Sequence, residues 1–448
     1  MSLITLRAAA IALCLCLALR RLPVRARPLA VLAGSLLFFA GTPRLLMLHA
    51  GHTALTLGLA ALLRRNRGRA LTGAAVIVEC ALMLALRRWG GFSYAALVHI
   101  GFLLDARKER GPLAVEAAAL TYFPSLREGP IVDARALGRQ IARPEALSWE
   151  RGSRAALRIT VGLVKKLVVA DRLAGFVEGA FGAPGECGAP VLWLALFCYS
   201  VQIYMDFSGC MDVVLGFSAL MGVDLPENFR RPYFAVSCAD YWRRWHMTMG
   251  GWFRARCFFP LAASKPALAL GGRLAKRLKR ANLRRAAAMA LPTLVTWALV
   301  GLWHGLEAHY LVWGLINGLA ILAGAILERG SSALPGPLRM ARTFVVIGLI
   351  RVLFRAGSLR LAGAFYAGLF RFGASGGRSL LPGGPDLIVA ALFTAIILIS
   401  EWRAERHGER ERSVTQALIL TALGIAAVGI LGRYGPGYDA VEFFYNRF

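Results

Sequence analysis

The sequence predicts an all-α, polytopic membrane protein. Three observations predict it: how apolar the chain is, how its apolar residues are grouped, and where its basic residues fall. Of 448 residues, 57% are hydrophobic and 17% are charged, with a mean hydropathy of +0.56. A soluble chain usually carries about 25% charged residues. A helix that crosses a bilayer needs about 20 apolar residues. Candidate runs lie near 3–19, 28–41, 45–63, 69–86, 91–104, 156–180, 188–205, 207–223, 286–304, 309–328, 341–357, 384–400 and 413–432. The basic excess, 53 Lys+Arg against 25 Asp+Glu for a net charge of +28, sits in clusters between those runs. The clusters are Arg20–Arg27, Arg64–Arg69, Arg107–Arg110, Arg273–Arg285 and Arg403–Arg412. Positive charge at the ends of apolar spans is what membrane topology produces, so the charge needs no nucleic-acid partner to explain it.

Taken in order, the first run, Ile4–Leu19, is followed at once by basic residues and more apolar runs, and reads as an uncleaved span rather than a signal peptide. Several runs are short or interrupted by polar residues, and these can be re-entrant where their backbone is buried in protein. The expectation is about 10 to 13 membrane helices in a single domain, 1–448. The regions 105–155 and 224–285 are too amphipathic for free linkers and are expected to form interfacial helices. Eight cysteines are scattered singly apart from Cys14 and Cys16, without metal-binding or redox spacing, and read as small core residues. No metal-ligand cluster is visible in the spacing.

Polar chemistry enters this apolar frame at four places. His304 lies 19 residues past Arg285, ~28 Å along a helix, and Pro292 between them can kink the span. Imidazole is the natural base for activating a hydroxyl near neutral pH, although a histidine at the end of a span is often only interfacial. The string "YWRRWH" gathers Trp242, Arg243, Arg244, Trp245 and His246. Composition alone makes it an interfacial helix; arginine pairs also grip phosphate, which coenzyme A and phosphopantetheine both carry. Asp206 breaks an uncharged run and wants a buried partner. In "YFPSLREGPI", Pro124, Gly129 and Pro130 forbid a continuous helix.

The strings "GFSY" (91–94), "YFPSLREGPI" (122–131), "VGLVKKLVVADRLA" (161–174), "YSVQIYMDFSGCMDVVLGFSALMGVDLPENFRRPY" (199–233), "DYWRRWHMTMGGWFR" (240–254), "VGLWHGLEAHYLVWGL" (300–315) and "EFFYNRF" (442–448) together resemble the membrane-bound O-acyltransferases. Within that family they resemble the bacterial branch that acylates polysaccharides and cell-wall polymers. The resemblance implies a ring of membrane helices, thin at its centre, with funnels from both faces meeting at a tunnel. It implies that His304 and His246 are catalytic, and that Trp242, Arg243, Arg244, Trp245, Trp303 and Asp206 line the tunnel or the donor route.

The implied reaction takes an acyl group, acetyl foremost, from a cytoplasmic thioester to hydroxyls of an exported polymer. His304 takes the hydroxyl proton, and His246 or a backbone N–H supplies an oxyanion donor. The expected donors are acetyl-CoA or a phosphopantetheine thioester on an acyl carrier protein; no permanently bound cofactor and no metal is expected. Expected partners are that donor or carrier, membrane lipid, and an extracytoplasmic acyltransferase or the polymer acceptor itself; the expected location is the cell membrane.

The alternatives are D-alanyl transfer from a carrier protein to teichoic acid, for which the basic run Arg273–Arg285 would suit an acidic carrier, and a transporter without chemistry. Three departures bear on donor and acceptor. Asn317 stands where relatives often have a histidine, "ARCFFPLAA" replaces a "DYLYIPLGG"-like run, and the basic stretch 273–285 is long.

Overall fold

A computed structural model describes residues 6–434 except 67, 88, 90, 332–333 and 374–375. The string "EFFYNRF" and the start of the first apolar run lie outside the described residues. Among the described residues the chain is helical and has no strand. An isolated antiparallel bridge joins Phe229 to Trp245. Among the described residues, seven helices are long and apolar enough to cross a bilayer: Pro43–Arg65, Arg69–Leu86, Ala189–Leu220, Ala281–His304, Ala308–Leu327, Gly384–His407 and Val414–Leu431. Arg27–Phe39 and Phe92–Leu104 are shorter apolar helices. The chain is a multi-pass membrane protein.

Several of the expected spans take a different form; the run 156–180 is divided among Trp149–Leu163, Val164–Ala170 and Asp171–Gly182. The runs 188–205 and 207–223 are one 32-residue helix, Ala189–Leu220. Asp206 does not break it, because Lys166 Nζ neutralises the carboxylate at 2.7 Å. The run 341–357 lies in the helix Gly336–Arg355, which carries Arg339, Arg342, Arg351 and Arg355 and so is not apolar enough to be counted with the seven.

The chain divides into two compact units. The first comprises residues 1–168, 204–227 and 411–448. In it, Trp149–Leu163 packs along Val414–Leu431, and Arg69–Leu86 along Phe92–Leu104. Their ends are set by side-chain caps: Ser148 Oγ accepts from Arg151 N, and Ser413 with Gln416 forms a capping box. The amphipathic region 105–155 is helical at Leu113–Leu120, Ala134–Ala142 and from Trp149 onward. Gly162 lies against the Gly209 carbonyl, where an added Cβ would come to 2.5 Å, so two backbones touch there.

The second unit comprises residues 169–203 and 228–410. Its centre is the antiparallel pair Ala281–His304 and Ala308–Ser331. Two glycines let these helices approach. A Cβ on Gly301 would sit 2.4 Å from the Tyr310 carbonyl, and one on Gly314 2.2 Å from that of Trp297. The string "GLWHG" is therefore a packing motif as well as the carrier of His304. Region 224–285 forms short helices at Cys238–Arg244 and Met247–Phe253, then the amphipathic helix Lys265–Lys276.

Candidate active site

The second unit brings His246 and His304 to one aromatic cluster. His246 is held by a backbone clip. Arg230 N donates to the Arg244 carbonyl at 2.8 Å and Met247 N to that of Asn228 at 2.9 Å, on either side of the Phe229–Trp245 bridge. The clip forces His246 into the left-handed region (φ 46°, ψ 51°), which a non-glycine residue adopts at a cost. Strain of this kind persists only where the surroundings over-determine it.

The side chain of Asn228 completes the hold. Its Oδ1 accepts from Thr248 N (3.1 Å) and Thr248 Oγ1 (2.9 Å) and lies 3.1 Å from His246 Nδ1. A backbone N–H can only donate, so this oxygen is an acceptor and His246 Nδ1 must carry the hydrogen. His246 lies between spans and is fully buried. Burial first, and the neighbouring His304 second, hold it well below the ordinary imidazole range. It is therefore a neutral imidazole with the lone pair on Nε2, an acceptor rather than the oxyanion donor that the sequence suggested.

His304 is the last residue of its helix, and Gly305 turns the chain away in extended conformation. The ring is boxed by aromatic side chains: Trp303 at 4.5 Å, Phe354 at 5.0 Å and Trp313 at 5.2 Å between centroids. Trp303 links the two histidines, its ring also lying 6.1 Å from His246. Beside this box is a mostly apolar chamber of about 460 Å³. Trp242 and Trp297 line it, and both rings touch Trp313, the wall of His304, at 5.8 and 6.2 Å. Two tryptophan layers, Trp242 with Trp297 and then Trp313, lie between chamber and imidazole along this line.

The remaining residues of the "YWRRWH" string separate by role. Arg243 is 62% exposed in its side chain and lines the chamber, with one long contact to Asp240 at 3.4 Å. Arg244 is spoken for, donating to Asp240 at 3.2 Å and Glu405 at 2.8 Å. Trp245 does not line the chamber; it is buried, stacked on Tyr241 and covered by the Arg351 guanidinium at 4.5 Å. Asp206 belongs to the first unit, paired with Lys166. The geometry thus places Trp303 against the histidines and Trp242 and Arg243 at the chamber, whereas Arg244 and Trp245 brace the fold.

Three residues were missed by sequence reasoning. Asn228 sits in "PENFRRPY", where nothing local marks it as a partner of His246. Arg351 is a lone cation in "GLIRVLF"; it packs over Tyr233, Tyr241 and Trp245 and donates to both tyrosine hydroxyls. Asn317 was noticed only as a missing histidine. Its Oδ1 accepts from Trp242 Nε1 at 3.1 Å and its Nδ2 donates to the Trp313 carbonyl at 2.9 Å, fixing two walls of the site.

Residues 106–268 match the model of MBOAT, the membrane-bound O-acyltransferase family. That stretch includes His246 and ends before His304. A probable alginate O-acetylase AlgI of Pseudomonas fluorescens is 29% identical over 345 residues, 75% of this chain and 66% of that protein. A peptidoglycan O-acetyltransferase of Helicobacter pylori is 29% identical over 252 residues, 55% of this chain and 44% of that protein. A teichoic acid D-alanyltransferase of Bacillus subtilis is 25% identical over 253 residues, 53% of this chain and 59% of that protein. The chain spans between 44% and 66% of the length of these relatives. The family match over residues 106–268, these relatives and the multi-pass helical fold agree in making the chain similar to the membrane-bound O-acyltransferases.

Proposed function

We propose that the protein is an O-acyltransferase that moves an acyl group, acetyl foremost, from a cytoplasmic thioester to hydroxyls of an exported polysaccharide or cell-wall polymer. The observation that carries this reading is the convergence of His246 and His304 on one aromatic box beside the Trp242–Trp297 chamber. The names of the relatives support the reaction class: acetylation for two, D-alanylation for the third. The apolar chamber with Arg243 at its wall suits a pantetheine arm that carries phosphate at its far end.

In the proposed reaction, His304 takes the proton of the acceptor hydroxyl as its oxygen bonds to the thioester carbonyl carbon. The tetrahedral adduct collapses, the C–S bond breaks, and the leaving thiolate takes the proton back from His304. In this scheme His246 Nε2 accepts a hydrogen bond from the imidazolium that forms at His304 or from an amide N–H of the donor. Donor and acceptor meet directly, and no metal enters the scheme.

The test is label transfer in proteoliposomes. Acetyl-labelled coenzyme A, presented on the face that bears the donor, should label a hydroxyl polymer such as alginate or peptidoglycan. Transfer only from a D-alanyl-loaded carrier protein to teichoic acid would replace acetyl by D-alanyl. A His304→Ala protein that blocks passage of the polymer itself, rather than its modification, would replace the enzyme by a transporter.

A further inference from the structure

The first unit holds a second histidine cluster that the proposed reaction does not use. His52 and Thr56 on Pro43–Arg65, Glu79 on Arg69–Leu86 and His99 on Phe92–Leu104 are all buried. They form one chain of contacts. His52 Nε2 lies 2.6 Å from Glu79 Oε2, and Glu79 Oε1 lies 2.8 Å from Thr56 Oγ1. Thr56 Oγ1 lies 2.7 Å from His99 Nδ1, and His99 Nε2 lies 3.2 Å from the Leu120 carbonyl.

Two histidines and a carboxylate with ligand atoms within 4.8 Å suggest a metal, but the rings rule out this arrangement. A ligating imidazole points its lone pair along its own plane, with the ion about 2.0–2.1 Å away. The His52 and His99 rings are stacked, centroids 3.9 Å apart and planes 19° apart. Rings stacked in this way cannot both hold one ion in plane. His99 Nδ1 is, moreover, already taken by the Thr56 hydroxyl.

Counting hydrogens gives a different answer. Each of the four contacts needs one hydrogen, because two lone pairs do not approach this closely. The Leu120 carbonyl has none, so His99 Nε2 supplies that one. Two neutral imidazoles bring one ring hydrogen each, the threonine hydroxyl brings one, and an ionised carboxylate brings none. That makes three hydrogens for four contacts. Thr56 Oγ1 also lies 2.9 Å from the His52 carbonyl, which only increases the demand.

Charge points the same way. Among the described residues, no lysine or arginine forms an ion pair with Glu79; its ion-pair partner is His52. Arg64, further along the same helix as His52, is engaged by Glu116. Other titratable groups in electrostatic contact with the chain include His49, on the helix of His52, and Cys80, next to Glu79. One added proton makes the chain neutral; without it the chain is a buried anion with a broken link.

We propose that His52, Glu79, Thr56 and His99 form a proton-binding site, which in the folded protein holds one proton beyond those of two neutral imidazoles and a carboxylate. The proton belongs to the chain as a whole rather than to one residue. Glutamine at position 79 reproduces the protonated pattern, its amide donating to Thr56 and its carbonyl accepting from His52.

The test compares the full-length wild type, Glu79→Gln and Glu79→Ala in detergent, by thermal unfolding from about pH 5 to pH 9. The folded state binds the extra proton and the unfolded glutamate releases it, so wild-type stability falls with rising pH relative to E79Q. E79Q should match the wild type at the acid end and then gain on it by up to about tenfold in the unfolding equilibrium per pH unit. E79A, which leaves His52 and Thr56 without their partner, should be less stable than E79Q throughout. The proposal is overturned if E79Q fails to fold, if its gap to the wild type is constant or closes as pH rises, or if E79A equals E79Q. A stoichiometric metal in the wild type that E79Q loses would overturn it too.

Discussion

Each unit of the molecule buries three histidines, and a pair among the three in each is built in an opposite way to the other. His52 and His99 lie in a closed chain, where each link runs to a side chain or to the Leu120 carbonyl. His246 and His304 sit instead among Trp303, Trp313 and Phe354, with His246 Nδ1 directed at the Asn228 amide oxygen. The aromatic wall of His304 adjoins a chamber through Trp242 and Trp297. A closed chain suits holding a proton in place. An aromatic box that fixes the orientation of the imidazoles suits a reacting ligand. Burial of a histidine therefore does not distinguish the roles, whereas its surroundings do: a polar chain in the first unit, aromatic rings in the second.

That contrast can be broken at several points, and the largest effect is expected at His304. His304→Ala should lower transfer by about 10²–10⁴-fold while the protein still folds, whereas His99→Ala should cost stability first. The measurement is initial rate alongside thermal midpoint. Next is Asn228→Ala, which removes the acceptor of His246 Nδ1, Thr248 N and Thr248 Oγ1. It should cost about 1–3 kcal/mol and release the His246 tautomer, so that the rate falls even where folding is restored by lower temperature.

The two arginines should then separate. Arg243→Ala should raise KM for a phosphate-bearing donor with little change in stability, because its side chain is exposed beside the chamber. Arg244→Ala should lower the thermal midpoint with KM unchanged, because it breaks the links to Asp240 and Glu405. The smallest effect concerns acid. Burial lowers the affinity of His246 for a proton, so the unfolded state binds the proton first as pH falls below about 6.5. Wild-type stability should drop there, and His246→Gln should flatten part of that drop in pH-dependent melting curves.

Much of the site was legible in the sequence, for a physical reason. His246 sits in a dense polar string and His304 at the end of an apolar run, and both stand out against a hydrophobic background. The hydropathy pattern likewise marked all seven long helices. What was hidden is pairing between helices. Asp206 was read as a break between spans, since its neutralising Lys166 lies on another helix. Asn228 and Asn317 are ordinary amides until the fold carries them to His246 and Trp242. Arg244 and Trp245 looked equivalent to Arg243 and Trp242. Only the register of the helix Cys238–Arg244 shows which members of each pair face the chamber.

The central claim is that His304 faces a passage that a thioester can reach. The most direct measurement is modification by a histidine-directed acylating reagent, mapped by mass spectrometry with and without acetyl-CoA. The account predicts that His304 is modified in the free protein and protected by the donor, while His52 and His99 stay unmodified in both. Modification of His304 that the donor leaves unchanged, or reaction of His52 and His99 as readily as His304, would contradict it.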